Sequence, residues 1–156
     1  MALRDHSLDD KITSAAMAEF LDKGYTGASL RKIAEKAGIT VGAIQTRYRS
    51  KDELFASLLK PFLDDIESTF KSVKADYYSG EDGGLLAQLK VSMQHESAAI
   101  LRLILAHYNE AVLLFYKSAG SGLERYFDIV VQSKIDESAA FFRSMGYTGI
   151  DEKLLG

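Results

Sequence analysis

Gly42, Gln45, Thr46 and Arg47 share one side of a short helical pattern, Thr40 to Tyr48 (TVGAIQTRY), whose other side carries Ile44 and Tyr48. Each outward residue type suits the edge of a base pair or a phosphate. Glycine permits close approach, and a glutamine amide can pair bidentately with adenine. Threonine can meet a thymine methyl or a phosphate oxygen, and arginine can grip phosphate or guanine. Ile44 and Tyr48, at i and i+4, would anchor such a helix to a core. Val41 lies at i, i+3 to Ile44, so its spacing alone makes it a core residue. Arg47, Arg49 and Lys51 form a basic cluster where this helix ends. The pattern reads as a helix built to lie in the major groove of double-stranded DNA.

Such a helix needs a partner that crosses the phosphate backbone and a core that fixes both. Ser7 followed by Asp10 resembles a capping box, which predicts a first helix from Leu8. Ile12, Ala15, Ala16 and Phe20 form its apolar face, and Gly24 ends it. Ser29 caps a second, short helix with Leu30, Ile33, Ala34 and Ala37 at i, i+3, i+4 and i+7, closed by Gly38. Thr40 caps the third helix, and Ile39 can staple against Ile44. Ser50 and Glu53 make a second capping box. It opens a long helix carried by Leu54, Leu58, Phe62, Ile66 and Val73 to about Tyr78, interrupted by Pro61. The free N–H groups at the Ser29 and Ser50 caps could receive phosphate, with Lys51 reinforcing the second.

Composition sets the frame for this head. The chain has 156 residues, 47% of them apolar, with one proline and no cysteine. Abundant Ala, Leu, Lys and Glu predict an all-α protein. The lack of cysteine excludes disulfides and thiolate metal sites, and cytoplasmic residence is the expectation. No apolar run approaches the ~18 residues of a membrane span, and no basic start leads into an apolar stretch, so neither a membrane partner nor a signal peptide is expected. Residues 1–50 hold eight Lys/Arg against six Asp/Glu, while residues 51–156 hold eleven against sixteen. A mildly basic head on an acidic body suits contact with phosphate at one end only.

Gly80 to Gly84 (GEDGG) is the clearest break. Helices are expected beyond it at about 84–107, 110–118 and 122–145, with Asn109 and Ser121 as caps. The stripe through Leu86, Leu89, Met93, Ile100 and Ile104 passes Glu96 and Ser97 and ends near His107. Polar groups in an apolar stripe can orient a ligand in a pocket, although rotation of the helix to expose Glu96 explains them as well. Phe62, Met93, Glu96, Ser97, His107, Tyr108 and Phe127 are the candidate ligand-binding residues. His6, His95 and His107 lack metal-ligand spacing, so no metal is expected. Ser29-x-x-Lys32 and Ser57-x-x-Lys60 have no partner motif, and no P-loop, dinucleotide fingerprint or nucleophile elbow is present. The chain reads as no enzyme and needs no cofactor.

The stretch KITSAAMAEFLDKGYTGASLRKIAEKAGITVGAIQTRYRSKDELF resembles the N-terminal DNA-binding domain of the tetracycline-repressor (TetR/AcrR) family of bacterial regulators, over roughly residues 10–60. The resemblance rests on Ala15-Ala16, Phe20, Gly24-Tyr25, Ile33-Ala34, Ala37-Gly38, Gly42, Ile44, Ser50-Lys51 and Leu54. It implies a homodimeric repressor on a palindromic operator, with a small-molecule effector bound in a C-terminal helical body. It also implies that Ser29, Thr40, Arg47 and Lys51 meet the DNA backbone, while Val41, Gly42, Gln45 and Thr46 face bases. The chain departs from the family pattern at Gln45, where an aromatic is usual, at Arg47, where histidine or tyrosine is usual, and at Tyr48, where phenylalanine is usual. The expected domains are residues 1–52, a helix-turn-helix, and residues 53–156, a regulatory body. The family's last two helices, which build its dimer bundle, have no counterpart before Gly156, so the body is expected to be truncated and the dimer weakened or altered. A competing reading is a helical ligand-binding or interaction module that has lost specific DNA binding.

Overall fold

The computed structural model describes residues 6–77 and 85–144, together with Gly146. Seven α-helices and no strand occur among the described residues: α1 (His6–Gly27), α2 (Leu30–Ala37), α3 (Val41–Gln45), α4 (Lys51–Tyr77), α5 (Leu85–Ala106), α6 (Tyr108–Tyr116) and α7 (Tyr126–Ser144). The expected all-α class is what the chain adopts. The GEDGG break and the segment Asp151 to Leu155 lie outside the described residues. The chain divides into two compact units, residues 1–121 and 122–156, with α7 in the second.

Local chemistry accounts for the head. Helix α1 buries Ile12, Ala15, Ala16 and Phe20, and its regular course breaks at Gly24, whose φ of 68° only glycine adopts freely. One further turn then runs to Gly27. Ser29 caps α2 by accepting the Lys32 N–H, and Gly38, in the left-handed conformation, closes it with its N–H on the carbonyls of Ala34 and Glu35. Thr40 caps α3 by accepting the Ala43 N–H. At α4 the Ser50 hydroxyl accepts the Glu53 N–H at 3.0 Å, and the Glu53 carboxylate accepts the N–H of Arg49, one residue before the cap, at 2.8 Å.

Packing holds these pieces in place. Helix α1 packs on α2, α4 and α6, and α4 packs on α1, α5 and α6. Phe55 is fully buried, with its ring edge-on to Phe20 at 5.0 Å and to Tyr25 at 5.2 Å. Aromatic pairs of this geometry contribute about 0.5–1.5 kcal/mol beyond the area they bury. Helix α4 is a single element through Pro61, which stands on its exposed side.

The expected Ser7 cap fails, because α1 already begins at His6 and Ser7 lies inside it. Two further cap expectations fail, each for a tertiary reason. Helix α6 begins at Tyr108, so His107 holds the cap position and Asn109 lies inside the helix. The His107 ring is engaged elsewhere: its Nε2 lies 2.8 Å from Asp65 Oδ2, and it packs 5.5 Å from the Phe62 ring. Ser121 does not cap α7, which starts at Tyr126. Its N–H instead closes a turn onto the Ser118 carbonyl at 2.9 Å.

The loop after α6 is tied to the kinked end of α1. The Tyr25 N–H donates to the Lys117 carbonyl at 2.8 Å, and the Thr26 hydroxyl donates to the Ala119 carbonyl at 2.7 Å. Gly120 has φ of 84°, and a Cβ there would lie 2.8 Å from the Thr26 hydroxyl oxygen. Gly120→Ala is therefore expected to cost about 2 kcal/mol through left-handed strain and crowding. Thermal unfolding measures this, and a melting temperature equal to wild type would refute it.

Candidate nucleic-acid interface

Helix α3 is only five residues long, but the chain keeps turning past it. The N–H groups of both Arg47 and Tyr48 bond the Ile44 carbonyl at 2.9 Å, and the Thr46 hydroxyl reaches back to the Gly42 carbonyl at 2.9 Å. Ile44 is fully buried and Tyr48 is 8% exposed, whereas Gly42, Gln45 and Thr46 are exposed. The expected two-sidedness is present. Val41 is half-buried, between the two roles its spacing and its family position assign to it.

Ser29 and Thr40 are exposed at the caps of α2 and α3. Their hydroxyls accept backbone N–H groups at 3.3 and 3.2 Å. Lys51 is half-buried, with its ammonium donating to the carbonyls of Tyr25 at 2.7 Å and Ala28 at 3.0 Å and lying 4.3 Å from the centre of the Tyr25 ring. The structure thus brings Lys51 to the corner before α2, beside the Ser29 cap. Tyr25 carries a raised hydroxyl pKa, first from burial and then from the charge and hydrogen bond of Asp52, so its phenol stays protonated.

Arg47 sits differently from its sequence expectation. Its Nε donates to Asp9 Oδ1 at 2.7 Å, and both side chains are about four-fifths buried. Asp9 carries no sequence signal for this role, because 38 residues separate it from Arg47. A second tie in the head is equally hidden: Glu19 on α1, 4% exposed, pairs with Lys36 on α2 at 2.7 Å. A buried carboxylate needs such a partner.

The candidate ligand residues do not present one uniform lining. Phe62 is 1% exposed, between the rings of His107 and Phe115. Glu96 and His107 are half-buried, and Ser97 is exposed. Met93 is 66% and Tyr108 63% exposed. Phe127 lies on α7, in the second unit, and is exposed. Among the described residues no three His, Cys, Asp or Glu side chains converge as a metal site requires, and no single helix is long and apolar enough to cross a membrane.

Residues 12–58 match the profile of bacterial regulatory proteins, tetR family. The chain is 28% identical over 101 residues to the probable HTH-type transcriptional regulator YttP of Bacillus subtilis, covering 63% of this chain and 49% of that protein. It is 26% identical over 102 residues to the HTH-type transcriptional repressor KstR2 of Rhodococcus jostii, covering 65% and 48%. The chain therefore spans about half the length of these curated relatives. Among solved structures it resembles the transcriptional regulator FadR of Bacillus subtilis in complex with stearoyl-CoA, with TM-score 0.57 and 19% identity, over 94% of this chain and 77% of that one. It also resembles MexZ, a repressor of Pseudomonas aeruginosa, with TM-score 0.56 and 18% identity, over 96% and 75%. Likeness at such identity speaks to the fold, and the names of the relatives are those of regulators rather than enzymes. The profile match lies across α1 to α4 with the two-sided α3 inside it, so these N-terminal helices form a helix-turn-helix domain like that of the tetR family of regulators.

Proposed function

We propose that the protein is a cytoplasmic, DNA-binding transcriptional repressor that acts as a homodimer. The observation that carries this reading is the division of α3: Ile44 is fully buried, while Gly42, Gln45 and Thr46 stand in solvent. In this reading residues 1–52 form the DNA-binding domain. Val41, Gly42, Gln45 and Thr46 lie toward base edges, and Ser29, Thr40 and Lys51 lie toward the backbone. Two copies of α3 would enter successive major grooves of a palindromic operator about 34–36 Å apart. Residues 53–156 form the regulatory body, with a small-molecule effector bound among residues drawn from Phe62, Met93, Glu96, Ser97, His107 and Tyr108. An effector releases the operator only by binding the two dimer shapes with different affinity.

Selection from a random duplex pool tests the DNA reading. An enriched inverted repeat is expected, and a pool unchanged after several rounds would overturn it. On the selected duplex, Gln45→Ala should weaken binding by about 1–3 kcal/mol, yet leave affinity for a scrambled duplex and the melting temperature unchanged. Equal losses on both duplexes would remove Gln45 from base recognition.

A further inference from the structure

Three basic side chains surround the exit of α3, and the fold treats them differently. Arg47 is paired with Asp9 at 2.7 Å, with both groups mostly buried. Lys51 directs its ammonium at two main-chain carbonyls. Arg49 is exposed, and its side chain makes no hydrogen bond or ion pair among the described residues. We propose that Arg47 is a positioning residue, fixing the groove helix on α1 through Asp9, and that Arg49 supplies the phosphate contact at the exit of that helix. The assignment rests on the DNA-binding reading of α3.

Charge balance is the first argument. Salt-dependent affinity arises when a cationic side chain displaces counterions condensed on the duplex. Arg47 and Asp9 together are neutral, and a phosphate brought to that guanidinium would also meet the Asp9 carboxylate. Freeing Arg47 for phosphate would break a mostly buried ion pair, which is unfavourable. Arg49 has neither handicap.

Geometry is the second argument. The Arg49 N–H is held by the Glu53 carboxylate at 2.8 Å, and the next residue, Ser50, caps α4. The backbone of Arg49 is thereby fixed three residues after the exposed Thr46, so only its side chain remains to be ordered on binding. Arg47, by contrast, links the end of α3 to α1 across 38 residues of sequence. That link sets the angle at which Gly42, Gln45 and Thr46 leave the surface.

The test uses the full chain and the duplex that wild type enriches from a random pool, with affinity measured by fluorescence anisotropy across a potassium chloride series. Arg49→Gln should lower the slope of log affinity against log salt by about 0.9, with the melting temperature unchanged. Arg47→Gln should weaken binding at every salt concentration and lower the melting temperature, with the wild-type slope retained. This variant is decisive, because it removes the guanidinium charge itself. If Arg47 gripped phosphate, its slope would also fall by about 0.9, and that outcome overturns the proposal. So does a wild-type slope in Arg49→Gln. Wild-type enrichment is read before any variant, so a pool that yields no duplex refutes the DNA-binding reading itself and is distinguishable from failure of this assignment.

Discussion

Phe55→Ala should destabilise the protein by about 3–5 kcal/mol, the range for removing a large ring from a closed core. Phe55 is fully buried, and its ring meets Phe20 of α1 and Tyr25 of the corner after it edge-on. Truncation would leave a cavity between α1 and α4 and remove both ring contacts. Domains of this size have total stabilities of about 5–15 kcal/mol, so the loss is a large fraction of what is available. A fall of roughly 10 °C or more in melting temperature is the expected reading. Phe55→Leu, which keeps most of the volume, should recover more than half of the loss. A Phe55→Ala protein melting within a few degrees of wild type would show that α1 and α4 do not depend on this contact.

Lys51→Ala should cost about 2–3 kcal/mol, an unusual amount for a lysine near the surface. Exposed lysines contribute little, but this ammonium donates to two carbonyls, at 2.7 and 3.0 Å, and lies over the Tyr25 ring. A hydrogen bond to a charged group is worth about 1.5–3 kcal/mol, and a cation over an exposed aromatic face about 0.5–1 kcal/mol. Water can replace part of this once the side chain is gone, which keeps the expected total near that of a single strong bond. Lys51→Met separates stem from charge: it retains the aliphatic packing and should lose nearly as much as alanine. Urea unfolding is the measurement. A loss below about 0.5 kcal/mol in both variants would mean that the corner holds itself without the ammonium. Any affinity lost by these variants must be compared with the affinity of protein equally destabilised elsewhere.

The features that sequence reading recovers are local. Ser29, Thr40 and Ser50 cap the helices expected of them because a hydroxyl and an N–H three residues apart meet without outside help. Gly24 and Gly38 are left-handed where the chain had to turn. Ile12, Ala16, Phe20, Ile33, Ile44 and Leu54 are buried as their spacing required. The features that escape sequence reading are tertiary. The spacing marks a single apolar stripe along α4 through Leu54, Leu58 and Phe62, yet Phe55 and Leu59 are equally buried. This follows because α4 packs against α1 on the one hand and α5 and α6 on the other, and a helix with neighbours on several sides shows no single clean period. Asn109 was the better cap by residue type, but Asp65 and Phe62 engage His107 and set the start of α6. At the interface, the exposure of Gly42, Gln45 and Thr46 follows from periodicity, whereas the Asp9 partner of Arg47 has no local signature.

The two hydrogen bonds from Tyr25 and Thr26 to the loop behind α6 have a consequence for where this protein can be divided. Judged by motif, the reading head is complete within its first fifty or so residues. Judged by mutual support, it borrows main-chain acceptors from more than ninety positions downstream. A graft that moved only the head onto another scaffold would leave those donors to solvent and strip α1 of its neighbour. The smallest portable unit of this fold therefore extends to Gly120.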